Sequence, residues 1–168
     1  MLLRTLLFGF LTCFLASCAG YQLGDRKPAK LENIQSIDVP LFQNKTQEQR
    51  LSPLVTNSVS DEITRDGTYQ IVSDATSDAT LHATIETISY RERRSDRFDT
   101  LRASEMYIEI EVEWKLTDNQ NRVLMSGTTD GESYFTVESN QQLSRNNAFP
   151  DAAKNAAEKI VQRIANGF

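Results

Sequence analysis

The sequence predicts an α+β domain, a two-layer sandwich in which a mostly antiparallel four-stranded sheet carries two helices on one face. Two observations predict it. The first is a strict apolar and polar alternation from 105 to 116, and the second is a pair of amphipathic helical patterns. A strand divided in this way has one face on a core and the other in water, as antiparallel sheets allow. The order of elements is then β-α-β-β-β-α.

The first strand is predicted between Ile34 and Phe42, a segment rich in β-formers, where Pro40 limits it to a strand end or a sheet edge. A helix is expected to start at Ser52-Pro53, because Ser can cap the free amide groups and Pro at the first helical position loses no bond. We expect Asp66-Gly67 to end it. Its apolar side chains at helical spacing are Leu54, Val55, Val59 and Ile63.

Three long extended segments follow a short one at 69–72. The first, 79–90, changes phase at Thr87-Ile88, which predicts a bulge. The third, 123–137, is joined to the second by a turn at 118–121, and we expect Gly127 and Gly131 to bend or end it. The apolar phase of the middle segment consists of Met106, Ile108, Ile110, Val112, Trp114 and Leu116.

The chain closes with a second helix, which Pro150 is expected to open. Its apolar stripe contains many small residues, and such a stripe suits close packing on a sheet. The stripe consists of Ala153, Ala156, Ala157, Ile160, Val161 and Ile164.

The N-terminal residues form a secretory signal pattern that ends in a cysteine. A positive head at Arg4 precedes an uncharged core, and Ala16-Ser17 supplies the small residues of a cleavage site. Because Cys18 follows directly, the segment resembles a bacterial lipobox, in which the thiol receives a diacylglycerol and the new N-terminus is acylated. The alternative is an ordinary secreted protein with a chance cysteine at this place. The apolar run is shorter than the ~20 residues of a membrane-spanning helix.

These features divide the chain into a lipoprotein signal peptide at 1–17, a lipidated tether at 18–32 and a single α+β domain at 33–168. With 23 acidic and 18 basic side chains, the protein lacks the positive charge of a general nucleic-acid binder. Its cysteines are Cys13, lost with the signal, and Cys18, and its one histidine is His82. This composition argues against thiol or metal chemistry, so we expect neither an enzyme nor a cofactor. His82 lies on the polar phase of its strand and is interpreted as a surface residue.

Positive charge is most concentrated in the predicted loop between the first two long strands. Guanidinium groups bind phosphate oxygens bidentately, so this cluster is a candidate site for a phosphorylated lipid headgroup. Interspersed carboxylates favour the alternative, an ordinary charged hairpin. The candidates are Arg91, Arg93, Arg94 and Arg97, joined by Arg102.

Several segments in order along the chain share one family resemblance. They are 18–24 (CAGYQLG), 37–46 (IDVPLFQNKT), Leu51, Thr56-Asn57, Arg65-Asp66-Gly67, Ala79-Thr80-Leu81 and the strand around Trp114. Together they resemble the LptE family, the lipopolysaccharide-assembly lipoproteins of the outer membrane. The resemblance implies a non-enzymatic lipoprotein that plugs LptD, a large β-barrel translocon, helps the barrel to fold and assists delivery of lipopolysaccharide. It also implies binding of lipopolysaccharide through basic residues.

The resemblance also implies a location and an interface. Ala19 after Cys18 resembles the sorting pattern for the outer membrane, so we expect a periplasm-facing protein anchored in the inner leaflet of that membrane. A plug in a water-filled barrel must present polar surface. Glu109, Glu111 and Glu113, on the polar phase of the middle strand, are therefore the candidate partner interface, and a calcium site is the less favoured interpretation because calcium ligands come from loops that wrap the ion.

Two other function classes share these sequence features. One is a generic periplasm-facing accessory lipoprotein of another envelope assembly, such as a secretin, which would have the same anchor and fold. The other is a lipid-tethered hydrolase, which would need a catalytic constellation that the sequence does not offer. A β-barrel partner separates the first of these from the plug interpretation.

Overall fold

The computed structural model describes residues 27–73, 76–93, 105–136 and 141–167. In chain order, its elements are the 3₁₀ turn η1 (Ala29–Leu31), strands β1 (Ser36–Asp38) and β2 (Gln43–Asn44), helix α1 (Leu51–Asp66), strands β3 (Gln70–Ile71), β4 (Ala79–Arg93), β5 (Glu105–Asp118) and β6 (Val123–Thr136), and helix α2 (Gln141–Asn166).

The α+β class is confirmed, but the predicted four-stranded, mostly antiparallel sheet is wrong. Within the described residues the sheet has six strands in the order β3-β1-β4-β5-β6, and β2 also pairs with β4. The pairs of β1 with β3 and β4, and of β2 with β4, are parallel, whereas β4, β5 and β6 are antiparallel. The sheet is mixed, and the order is β-β-α-β-β-β-β-α. Strands of two or three residues carry no readable alternation, which is why the sequence pattern merged or missed them.

Pro40 explains why the first predicted strand is divided. Asp38 pairs with Thr80, and Gln43 pairs with Thr84, so four residues on the edge lie opposite three on β4. Proline has no N–H to donate to a ladder, so pairing stops and resumes one residue out of register. The prediction that Pro40 limits its segment to a strand end or an edge is confirmed as a strand end, since β1 stops at Asp38.

The long strands β4, β5 and β6 form the body of the sheet. The predicted bulge is confirmed, because Glu86 has no partner between the pairs Ile85–Val112 and Thr87–Glu111. Gly127 and Gly131 do not end the third strand, since β6 runs through both. They serve close packing instead. A Cβ built on Gly131 would lie 2.2 Å from the carbonyl oxygen of Ala152.

The core lies between one face of the sheet and the two helices. The apolar phase of β5 from Ile108 to Leu116 is almost fully buried, as the alternation predicts, while the other phase stays at the surface. Trp114 is 2% exposed and donates its indole N–H to the Thr129 hydroxyl at 2.9 Å, which satisfies both buried polar groups. Leu31 of η1 is also fully buried in this core.

Helix α1 begins one residue before the predicted cap. Ser52 does not cap it, because its hydroxyl donates to the Phe42 carbonyl at 2.5 Å. Thr56, one turn later, accepts the Phe42 N–H at 3.0 Å. These two side chains satisfy the carbonyl and N–H groups of Phe42, which lies in the break between β1 and β2. The predicted end is confirmed, since Gly67 has a φ of +76° and donates its N–H to the Ile63 carbonyl at 3.1 Å.

Helix α2 begins at Gln141, so the prediction that Pro150 opens it is wrong. Pro150 leaves the carbonyl four residues earlier without its helical donor, and this loss ordinarily ends or kinks a helix. Tertiary contacts hold the preceding turns. Ala148 and Phe149 are each 3% exposed, and Arg145 contacts Glu48 at 3.2 Å and the Tyr90 hydroxyl at 2.8 Å.

Polar side chains of α2 cover the outer edge of β6. Asn155 accepts the Glu132 N–H at 3.1 Å, Lys159 donates to the Asp130 carbonyl at 2.8 Å, and Arg163 donates to the Thr128 carbonyl at 2.7 Å. We call these three side chains the α2 ladder. An edge strand with free backbone groups is a template for pairing with another chain. The α2 ladder occupies one backbone group of that template at each of Thr128, Asp130 and Glu132.

Replacing Gly131 with alanine tests the contact between β6 and α2. The new methyl group would meet the Ala152 carbonyl oxygen and the Ala156 methyl group, which a built Cβ approaches to 2.7 Å. Overpacking of this kind costs about 1–3 kcal/mol, to be measured by urea unfolding. Gly127→Ala is the control, because its nearest neighbour is a Trp114 ring atom at 3.1 Å, and we expect a smaller loss. A Gly131→Ala variant as stable as the parent would contradict the close contact.

A second prediction concerns the join between β1 and the start of β4. The Asp78 carboxylate accepts the N–H groups of Gln35 and Ser36, each at 2.9 Å, and the Ser36 hydroxyl at 3.0 Å. These hydrogen bonds, led by the Gln35 N–H, lower the pKa of Asp78 below its usual value. The ionised carboxylate therefore stabilises the fold at neutral pH, and this stabilisation is lost as pH falls through the lowered pKa.

We expect Asp78→Asn to lower the free energy of unfolding by about 1–2 kcal/mol at pH 7, since hydrogen bonds to a charged group are lost. The difference from the parent should narrow as pH falls below about 4, where the unfolded carboxyl is protonated. Urea titrations between pH 7 and pH 3 measure it, with Asp61→Asn on the exposed side of α1 as the control. A difference that is constant over this range would show that the charge is not responsible.

Candidate functional site

The surface opposite the helices is formed by the outward phases of β4, β5 and β6, and we call it the open face. Cross-strand pairing places its residues in rows, of which Ser89–Glu109–Glu132 and Thr87–Glu111–Asp130 are the central two. Its members are His82, Thr84, Thr87, Ser89 and Arg91 on β4, Tyr107, Glu109, Glu111, Glu113 and Lys115 on β5, and Ser126, Thr128, Asp130, Glu132 and Tyr134 on β6.

The three glutamates predicted from the sequence all lie on the open face, and β6 adds Asp130 and Glu132 beside them. Two of these carboxylates have a cation. Glu109 pairs with Arg91, and Glu132 lies 3.7 Å from the Lys159 ammonium group of α2. Through the described part of the chain, no ion pair or hydrogen bond engages the carboxylates of the other three. We call these the acidic strip, which consists of Glu111, Glu113 and Asp130.

Like charges face each other directly within this surface. The backbone groups of Asp130 and Glu132 point to α2, so their pairs with Glu111 and Glu109 are the non-hydrogen-bonded sites of the ladder. At such sites the Cα atoms are only about 4.5 Å apart and side chains are closest. Like charges directly opposite each other destabilise a sheet. The protein therefore keeps a charge arrangement that its own fold does not favour.

The end of the open face near the β4–β5 connection is aromatic. The rings of Tyr107 and Tyr134 lie 5.2 Å apart at an angle of 55°, and the Arg91 guanidinium is 5.3 Å from the Tyr107 ring centre. Burial of the hydroxyl, followed by the nearby carboxylates of Glu132 and Glu109, raises the pKa of Tyr107 above its usual value. Tyr107 is therefore a neutral hydrogen-bonding group in the physiological range.

Only part of the predicted arginine cluster lies within the described residues. Arg91 is engaged by Glu109 and Tyr107. Arg93 is the last residue of β4. The candidates Arg94 and Arg97, and the additional Arg102, lie outside the described residues, as does Cys18. Binding of a lipid headgroup at these arginines stays a prediction.

At the opposite end, the open face forms a shallow trough of about 690 Å³. His82, Lys115 and Ser126 line it as one cross-strand row, and the exposed apolar side chains of Leu41 and Val123 also border it. His82 is exposed, as its place on the polar phase predicts. The described ranges bring no three His, Cys, Asp or Glu side chains together in a group suited to a metal ion.

Sequence reasoning missed Asp130 and Glu132, although both follow a period of two along β6. The apolar residues that usually reveal a strand are missing from the buried phase of β6 between Gly127 and Ser133. Facing the helices, β6 presents Gly127, Thr129, Gly131 and Ser133, which are small or polar, so no apolar alternation marks the strand. The buried positions are small because α2 lies so close to them.

The comparisons with known proteins give the family. The LptE family model, described as lipopolysaccharide-assembly, matches residues 34–166, from just before β1 to the last residue of α2. The chain belongs to the LptE family. The resemblance found in the sequence is thus confirmed, and the terms lipoprotein, lipopolysaccharide assembly and outer membrane apply to the family. A comparison with curated protein sequences found no match.

Solved structures support the fold of this LptE family member. An uncharacterized lipoprotein B from Nitrosomonas europaea has a TM-score of 0.54 at 15% identity, covering 87% of this chain and 90% of that chain. A minor lipoprotein from Acinetobacter baumannii has a TM-score of 0.53 at 10% identity, covering 80% and 94%. A PelC dodecamer from Paraburkholderia phytofirmans has a TM-score of 0.52 at 12% identity, covering 86% and 97%. Identities this low show a shared fold alone. Neither described helix has the length and apolar character needed to cross a bilayer.

Proposed function

We propose that the protein is a lipid-anchored, periplasm-facing lipoprotein of the outer membrane that plugs and helps to assemble an LptD-like β-barrel lipopolysaccharide translocon. The role is non-enzymatic. The single observation that carries the proposal is the family match over residues 34–166, which takes in both helices and all the strands of the described sheet. Partnership with such a barrel and support of lipopolysaccharide insertion come from the family.

The surface chemistry of the domain supports a role as a plug. A barrel lumen is polar and water-filled, so a plug must keep its apolar groups inside and present polar groups outside. In this protein the helices cover one face of the sheet, and the other face carries carboxylates, hydroxyls and tyrosines. The α2 ladder also covers the edge of β6. Side-chain contacts with the barrel wall are therefore favoured over strand pairing along that edge.

The first described residues lie at one end of the sheet. Pro28 and Leu31 line a groove with Val123 and Ser126, close to the β5–β6 turn. Tyr107 and Arg91 lie at the other end of the sheet, ten residues along β5 from the turn end, or roughly 33 Å. A lipid anchor at Cys18 would therefore be joined to the domain at the turn end of the sheet.

The test is a mild-detergent pull-down of the native lipidated protein from membranes, with bound proteins identified by mass spectrometry. We expect a large outer-membrane β-barrel in equal stoichiometry, because a plug and its barrel form a permanent complex. Recovery of a secretin, or of another assembly without such a barrel, would contradict the plug role and favour a generic accessory lipoprotein.

The anchor is tested by Cys18→Ala. Without the thiol no diacylglycerol can be attached, and multiple acyl chains are what make such an anchor stable. We expect a folded protein that is recovered in the soluble periplasmic fraction when the barrel partner is absent. Circular dichroism checks the fold, and a Cys13→Ala variant, which alters the signal but keeps the lipidation site, is the control. Membrane recovery of the Cys18→Ala protein under these conditions would show that a different attachment dominates.

A further inference from the structure

We propose that the outer edge of β4 from Thr87 to Arg93, which we call the free β4 edge, takes an added β-strand from the partner. This inference rests on the proposed function, since it names a contact by which the barrel partner would hold the domain. The strands of a closed barrel wall are already paired with one another. The added strand would therefore come from a loop or a terminal segment of that protein.

The ladder shows which backbone groups of β4 point outward. The backbone of Asp130 points to α2, so its partner Glu111 points away from β6 and toward β4. Thr87, opposite Glu111, therefore directs its N–H and carbonyl groups to β5, and every second residue after it does the same. The backbone groups of Ile88 and Tyr90 consequently point away from the sheet.

The strands that pair with β4 on this side stop short of the free β4 edge. β1 pairs with the first two residues of β4, and β2 pairs with it no further than Ile85. The last bond on this side runs from the Lys45 N–H to the Ile85 carbonyl at 3.0 Å. Within the residues that the structure describes, no hydrogen bond reaches the outward backbone groups of Ile88 and Tyr90. Such a row of backbone groups is a template for a further strand.

A hydrogen-bonded turn leads the chain away from this side of β4. The Asn44 side-chain oxygen accepts the Thr46 N–H at 2.9 Å and the Thr46 hydroxyl at 2.7 Å. The amide of the same side chain donates to the Glu48 carbonyl at 2.9 Å. β2 cannot continue along β4 without breaking these bonds. The position beside Ile88, in line with β2, is therefore left for a strand from another molecule.

The side chains along the free β4 edge define the strand that fits. Thr87 and Ser89 present hydroxyl groups on the open face, whereas Ile88 and Tyr90 lie on the side of the helices. Ile88 packs against the core, and the Tyr90 ring centre lies 4.6 Å from the Arg145 guanidinium. Neighbouring strands contact each other through side chains on the same face. The matching strand therefore alternates polar and apolar residues, with its apolar phase beside Ile88.

The size of the free β4 edge favours a partner that also contacts the domain elsewhere. Stable protein interfaces bury about 1,200–2,000 Å² and involve roughly 20–30 residues a side, whereas this edge spans only residues 87–93. Two copies of the chain joined by this edge alone would be held weakly. A barrel that already encloses the domain supplies its own segment at a high effective concentration. One added strand is then enough to form a lasting contact.

Hydrogen–deuterium exchange at single amides tests the proposal in the full lipidated chain, alone in mild detergent and in the complex purified from membranes. The probes are the amides of Ile88 and Tyr90. The control is the amide of Asp130 on the opposite edge, which also points outward and has no hydrogen-bond partner within the described residues. We expect exchange at both probes to slow by about tenfold or more in the complex, because a bonded amide exchanges only when its bond opens. Exchange at Asp130 should change far less.

Each other result of the exchange experiment has a definite meaning. Equal slowing at the probes and at Asp130 would indicate shielding without an added strand, and unchanged exchange would indicate an exposed edge. Either result overturns strand addition and leaves the barrel partnership intact. Slow exchange in the free protein that depends on its concentration would make a second copy the occupant, and would also overturn the proposal. If the chain captures a different protein and the probes slow, strand addition stands and the barrel role fails. If it captures no protein, both are overturned.

A proline variant removes one bond to the added strand and no bond of the fold. Ile88→Pro lacks only an outward N–H, and strand edges tolerate proline at such positions. Ile88→Ala is the matched control, since it also shortens the side chain but keeps the N–H. Each variant is co-expressed with a differently tagged parent chain, so that the two compete for the same barrel, and urea unfolding checks that both variants fold.

We expect Ile88→Pro to hold a share of the barrel about threefold to tenfold smaller than that of Ile88→Ala, because one intermolecular hydrogen bond is lost. Equal shares for the two folded variants would overturn the proposal. The exchange experiment on the parent decides the matter if Ile88→Pro does not fold.

Discussion

The close packing of α2 against the edge strand β6 is the constraint on which the rest of the structure depends. It needs Gly131 beneath the turn from Ala152 to Ala156, where no side chain fits. The α2 ladder then lies along the strand, because four residues of helix advance about 6 Å and two residues of strand about 6.6 Å. The two repeats match over three successive bonds. The same contact sets the position of α2 over the sheet and protects its edge.

This packing leaves the domain with one free sheet face, and that face carries the charge. The helices cover the side of Ile110 and Trp114, so every second residue of β4, β5 and β6 turns to solvent. On such a surface, carboxylates at neighbouring strand positions repel each other, as Glu111 and Asp130 do. The cost is small beside the burial of the core, so the fold tolerates it. The open face is therefore where the domain presents most of the carboxylates of its long strands.

The sequence predicts the elements that come from a repeating pattern of residues. It does not predict the elements whose bounds or contacts depend on distant parts of the chain. The alternation along β5 gave the buried phase, the acidic phase and the α+β class, and the phase change at Thr87 gave the bulge. The start of α2 was misplaced because Pro150 is a strong local signal, whereas the contacts of Arg145 and Phe149 that extend the helix are tertiary. The local sequence predicts a cap at Ser52, whereas its hydrogen bond to the Phe42 carbonyl depends on a segment ten residues earlier.

The α2 ladder would also affect how copies of the domain associate if they are tethered to a membrane surface. A protein tethered to a bilayer is confined to two dimensions, where collisions between copies are frequent and exposed strand edges would join. The ladder is part of the same chain as β6, so its local concentration at the edge far exceeds that of any neighbouring copy. A competing strand must displace Asn155, Lys159 and Arg163 before it can bind the three backbone groups that these side chains hold. Along β6, a strand from a neighbouring copy would therefore meet side chains of α2 before it met the backbone groups that they bind.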